Sequence, residues 1–150
     1  MRKLSATITI AFAVAAAALP PASASAGSGG AAVINAHRTR LGTILVNSRG
    51  YTLYDFTSDR HGRDVCISIS QCLVAWPAVT STGRPIAGPG VKQSLLGTTL
   101  LRKGVEQVTY AGHPLYTYAS DTQPAQTTNI NILQFGGYWP ALAPSGREIK

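Results

Sequence analysis

From Gly42 onward the apolar residues fall in short runs that alternate with polar ones. "TILVNSRGYTLYDF" contains two runs of β-branched and aromatic residues separated by Asn47-Ser48-Arg49-Gly50, which predicts a hairpin. "VEQVTYAGHPLYTY" repeats the arrangement around Ala111-Gly112, and "SLLGTTLLRKGVEQVTY" predicts another hairpin turning at Lys103-Gly104. With 15 glycines and 9 prolines in 150 residues, the chain is punctuated too often for long helices. One short helical turn between Ser68 and Ala75 is the exception. Because side chains alternate across a strand, Tyr54 and Phe56 share one face, as do Tyr116 and Tyr118, while Leu53 and Leu115 point the other way.

The pattern is written twice. "GYTLYDFTSD" from Gly50 aligns with "GHPLYTYASD" from Gly112 at an offset of 62, and "WPAVTSTGRPI" from Trp76 aligns with "WPALAPSGREI" from Trp139 at an offset of 63. Two blocks in the same order at near-equal spacing indicate a duplication. A half of about 60 residues buries too little apolar surface to be stable alone, so the copies are expected to share a core. The sequence therefore predicts an all-β fold, a compact duplicated β domain with internal pseudo-twofold symmetry, short hairpins and little helix. The domain is expected over 41–150, with repeats at about 42–86 and 95–150. Trp76-Pro77 and Trp139-Pro140, at matched positions, are expected to pack in that core. Gly83 and Gly146 read as turns before the last strand of each copy.

Charge and cysteines add a compartment. Residues 1–26, with Arg2 and Lys3 before an alanine-rich apolar stretch and small residues after Pro20-Pro21, read as a cleaved signal peptide. Residues 27–40, opening on "GSGGAA", are expected to be flexible. The full chain carries +7; without Arg2 and Lys3, 11 basic residues stand against 6 acidic ones. That balance reads first as a solvated basic surface and also suits weak attraction to anionic envelope polymers, lipid headgroups or acidic glycans, so the expected partner is an anionic cell-envelope polymer or a surface protein. The basic residues form no run or stripe, which argues against nucleic acid. In an oxidising compartment, Cys66 and Cys72 are expected to form a disulfide. Such a small ring contributes roughly 2–2.5 kcal/mol by restricting the unfolded chain.

The motifs Tyr54-x-Phe56-x-x-Asp59, Tyr116-x-Tyr118-x-x-Asp121, Cys72-x-x-x-Trp76-Pro77, "SLLGT" and "QVTYAGHPLY" together resemble the secreted-repeat lipoprotein family. Its members are also described as predicted lipoproteins with a Tyr-x-aromatic-x-x-Asp motif. The resemblance spans roughly Gly42 to the C-terminus and implies a bacterial envelope or extracellular protein whose biochemical role is unassigned. Family members often carry a lipobox cysteine. None stands near the expected cleavage site here, so a free, secreted or extracytoplasmic chain without a stable membrane anchor is expected.

Asp59 and Asp121 occupy equivalent positions after equivalent strands. In a Ser-Asp turn each reads first as a cap accepting backbone N–H groups. Brought together, they would instead offer two carboxylates to a hard cation, or to a sugar beside Tyr54 and Tyr116. His113 opens the second motif strand and completes the set of ligand-binding residues. His37, His61 and His113 lack the local spacing of many metal sites, no catalytic triad or nucleophile motif is visible, and no cofactor is expected. The leading expectation is a non-enzymatic module binding a surface partner, glycan or ion. The alternative is a metal- or redox-associated envelope protein using Asp59, Asp121 and His113.

Overall fold

In the computed structural model, residues 30–59 and 62–150 are described. The expected signal peptide lies outside them. Among the described residues no helix is long and apolar enough to cross a membrane.

The fold is all-β. Strands β1 (Val33–Thr39) and β2 (Gly42–Asn47) form an antiparallel hairpin, which β4 (Ile86–Ala87) joins in parallel beside β1. A second hairpin pairs β5 (Leu96–Arg102) with β6 (Val105–Tyr110), turning at Lys103-Gly104 as predicted. To β6 are added β3 (Thr80–Ser81) and β7 (His113–Pro114). The β6–β7 turn has positive φ at both Ala111 and Gly112, the twist a two-residue hairpin requires. Two small hairpins complete the chain: β8 (Ile132–Gln134) with β9 (Gly137–Trp139), and β10 (Ala141–Leu142) with β11 (Glu148–Ile149). Among the described residues helix is limited to single turns, at Cys66–Ser68, at α1 (Cys72–Ala75) and at Gln93–Leu95.

Two expectations are corrected. Val33–Thr39, within the segment expected to be flexible, is a paired strand. Its role follows from the duplication: β1 and β5 begin and end 63 residues apart, as do β2 and β6. The outer hairpin therefore occurs in both copies, and Ile34 buries against Leu45 and Leu96. The second correction concerns the predicted hairpin through Asn47–Gly50. Its turn forms, with Gly50 N–H on the Asn47 carbonyl, but its second arm is not a continuous strand. After the Val46–Thr52 bridge that arm leaves β2, because Tyr54 pairs with the other copy.

That pairing is the centre of the molecule. Tyr54 and Tyr116 exchange both backbone hydrogen bonds, at 2.9 and 3.0 Å, the narrow antiparallel pair. Around them, equivalent residues make equivalent bonds. Asp55 N–H donates to the Pro140 carbonyl and Thr117 N–H to that of Pro77. Thr57 N–H meets the Tyr138 carbonyl and Ala119 N–H that of Ala75.

Strand alternation then sorts the core into two faces, as predicted. Leu53 and Leu115 join Ile34, Leu45, Val108, Tyr110 and Leu142 on the aliphatic side. Tyr54, Phe56 and Tyr116 enter the aromatic side with Trp76, Trp139 and the disulfide. The two indoles lie parallel at 4.0 Å, so each copy buries its tryptophan against that of the other. Gly137 permits the approach of β9: a Cβ there would stand 2.6 Å from both the Phe56 ring and Ser58 Oγ.

Candidate functional site

The motif tyrosines and aspartates form a reciprocal lock. Tyr54 Oη of the first copy donates to Asp121 Oδ2 of the second at 2.9 Å. Tyr116 Oη of the second donates to Asp59 Oδ2 of the first at 2.7 Å. The turn expected after each motif is present, with Asp59 N–H on the Phe56 carbonyl and Asp121 N–H on that of Tyr118. Among the described residues, however, neither carboxylate accepts an N–H of its own turn, so the expected side-chain cap is not what they form. Asp59 Oδ1 accepts the Val65 N–H at 2.7 Å, tying down the segment before the disulfide, whereas Asp121 Oδ1 accepts from Asn129 Nδ2. Cys66 and Cys72 are bonded as expected, with Cα atoms 5.4 Å apart.

Burial dominates the electrostatics of the lock. It raises both phenol pKa values far above their ordinary range, and the facing carboxylates raise them further: Asp121 for Tyr54, Asp59 and Asp64 for Tyr116. Burial also pushes Asp59 up to about 7, although its bonds from Tyr116 and Val65 oppose the shift. Asp121 is raised for the same reason, against the bonds from Asn129 and Tyr54.

Asp59 and Asp121 do not converge on one cleft. Asp59 lines a cleft of about 440 Å³ with Asp55, Gly112, His113 and Glu148; Asp121 lines another, with Arg49, Tyr51 and Tyr118. Tyr54 and Tyr116 are fully buried, so neither offers a ring face to a ligand. Of the residues singled out from sequence, Asp59 and His113 share a cleft, while Asp121 stands apart. Among the described residues, no three His, Cys, Asp or Glu side chains are grouped as a metal ion would require.

The cleft is organised by a residue that sequence reasoning missed. Asp55, buried between the two motif aromatics, places Oδ2 2.9 Å from His113 Nδ1. This bond raises the His113 pKa above its usual value; burial opposes the rise, and the charges of Asp55, Glu148 and Asp59 add to it. The signal for Asp55 was an acid inside a strand expected to be buried, where the second copy has Thr117. Gln134 was also missed, and nothing in the pattern marked it. Its side-chain oxygen accepts from Trp76 Nε1 at 2.9 Å and its carbonyl from Trp139 Nε1 at 3.2 Å, so one residue satisfies both buried indoles.

Fold and lock together define a class: a small all-β module in which two copies of one strand motif close on each other. Residues 97–143, from β5 through β10 and beyond into the following turn, match the model of a family described as a secreted repeat of unknown function. It is the family suggested by the sequence resemblance. No curated protein and no solved structure matches the chain.

Proposed function

We propose that this chain is a secreted, non-enzymatic β-repeat module that binds a glycan of the bacterial envelope through the cleft around His113. The Asp55–His113 pair carries the reading. A buried carboxylate fixes the orientation of a half-exposed imidazole and leaves its other ring nitrogen to serve the cleft. The cleft volume lies in the range of small-ligand sites, roughly 300–1,000 Å³. Asp59 and Glu148 supply acceptors for sugar hydroxyls, and Gly62 and Gly112 keep part of the wall low. The excess of basic residues supplies long-range attraction to an anionic polymer, while the cleft supplies the short-range contacts.

Retention on purified peptidoglycan and anionic wall polysaccharide tests this. The wild-type chain is expected to be retained and to elute at moderate salt, since surface attraction is screened within about 10 Å at 0.1 M. His113→Ala is expected to weaken retention and, because it leaves the buried Asp55 carboxylate without its partner, to lower the thermal midpoint, so retention is compared at a temperature where both chains are folded. Absence of wild-type retention on any envelope fraction, or equal retention by a folded His113→Ala, would refute the reading.

A further inference from the structure

The aromatic core holds more order than packing requires. Phe56, Trp139, Trp76 and Tyr118 form one continuous stack, with successive ring centroids 4.2, 4.0 and 4.1 Å apart and interplanar angles of 11, 5 and 23°. Tyr54 meets Trp76 edge-on at 5.1 Å, and Tyr116 meets Trp139 edge-on at 5.2 Å. Each of these two phenols donates its hydroxyl to a carboxylate. No free thiol competes, since both cysteines are in the disulfide, and the single methionine is Met1; the tyrosines outside this cluster are Tyr51, Tyr110 and Tyr138. Of the stacked rings, Tyr118 is part-exposed, on the cleft that also holds Arg49 and Asp121.

We propose that this core is a conduit for an electron hole, running from Tyr118 through the paired indoles to Tyr54–Asp121 and Tyr116–Asp59 as proton-coupled ends. The role is that of a sink for one-electron oxidants outside the cell, such as oxygen-centred radicals, and it requires no ligand in the His113 cleft. An oxidant at the Tyr118 surface takes one electron from Trp76 across the stacked ring and is reduced by one electron. The indole radical cation is then filled by an electron from Tyr54, or from Trp139 and in turn Tyr116. As either tyrosine gives up its electron, its phenolic proton passes to Asp121 Oδ2 or Asp59 Oδ2. The products are a neutral tyrosyl radical, a protonated aspartic acid and the reduced oxidant. A thiolate or phenolic reductant supplies the electron that resets the site, and the acid returns its proton.

Three features favour the ends as resting places for the hole. Ring contact throughout gives short tunnelling steps. The phenols cannot ionise first, because burial and the facing carboxylates hold their protons, so electron and proton leave together. Finally, burial raises the proton affinity of both acceptors.

Flash photolysis of the disulfide-intact chain with a photo-oxidised ruthenium polypyridyl complex, at about pH 8 where the Asp59 carboxyl is ionised, tests this. A tryptophan radical is expected first, decaying into a neutral tyrosyl radical seen by electron paramagnetic resonance, with slower decay in heavy water. Asp59→Asn with Asp121→Asn is expected to slow that decay on the order of 100-fold, the usual scale for removing a positioned proton acceptor. Tyr54→Phe with Tyr116→Phe should abolish the buried tyrosyl signal. Near-ultraviolet circular dichroism of the indole pair reports whether each variant is folded. The proposal is overturned by a tyrosyl radical of equal yield in the folded double phenylalanine variant, which would place it on another tyrosine. It is equally overturned if the wild-type decay shows no isotope effect, a measurement that needs no variant to fold.

Discussion

At the scale of single residues, the lock explains the recurrence of Tyr-x-aromatic-x-x-Asp. One residue of the motif donates and another accepts, but each finds its partner in the other copy. The pairing has a pH signature with a definite sign. Folding moves the Asp59 pKa from about 3.8 to about 7, so across that window the folded chain holds more protons than the unfolded one. Stability from this group therefore falls as pH rises toward 7. His113 acts in the same direction: its raised pKa gives a contribution that is complete below about 6.5 and is lost as pH climbs through the folded value. Asp64 and Asp121, both raised by burial, add to the trend. Denaturant midpoints are expected to be higher near pH 5 than near pH 8, with the slope reduced in Asp59→Asn, whose amide copies the neutral acid. A midpoint that rises with pH would contradict this assignment. The motif residues themselves were legible in the sequence because they repeat. Their crossed partnership was not, because a turn cap and a cross-copy bond need the same carboxylate after the same strand.

At the scale of elements, legibility followed local chemistry. The β5–β6 turn at Lys103-Gly104 and the β6–β7 turn at Ala111-Gly112 were readable because turn residues sit between alternating runs. β1 was not, since "GSGGAA" draws the eye to disorder and "VINAHRTR" has only a weak apolar alternation. Its existence was nonetheless implied: "SLLGTTLLRKG" precedes the second motif, so a counterpart 63 residues earlier should precede the first. The segment between motif and tryptophan is where the copies part. In the first its described residues form a single turn, the disulfide and α1; in the second it ends in the β8–β9 hairpin. The disulfide stands in for a hairpin there by holding Val65 where its N–H reaches Asp59. Reduction is expected to cost about 2–2.5 kcal/mol, from the small ring released. Hydrogen exchange at the Val65 amide should accelerate before that of β6 amides such as Val108. Uniform acceleration across the molecule would mean that the ring supports the whole core instead of this one segment.

At the scale of the whole molecule, neither copy owns a complete core. Each tryptophan stacks on its counterpart, both indole N–H groups depend on Gln134 of the second copy, and Tyr54 and Tyr116 complete one another's backbone pairing. The links also extend past the motifs: β3, from the first copy, pairs with β6 of the second. A half of about 60 residues must therefore leave its apolar face in water, where the entropy of ordering the chain outweighs what it can bury. A cut between Pro89 and Gly90 separates the copies and leaves β4 with β1 and β3 with the first half. Each fragment alone is expected to lack the near-ultraviolet circular dichroism of the stacked indoles, and equimolar mixing is expected to restore it in a concentration-dependent way. Restoration should fail when the first-half fragment carries Tyr54→Ala, because that substitution removes both a ring on Trp76 and the donor to Asp121. A fragment that folds cooperatively by itself would instead mean that one copy supplies a sufficient core and that the crossed bonds merely dock two finished units.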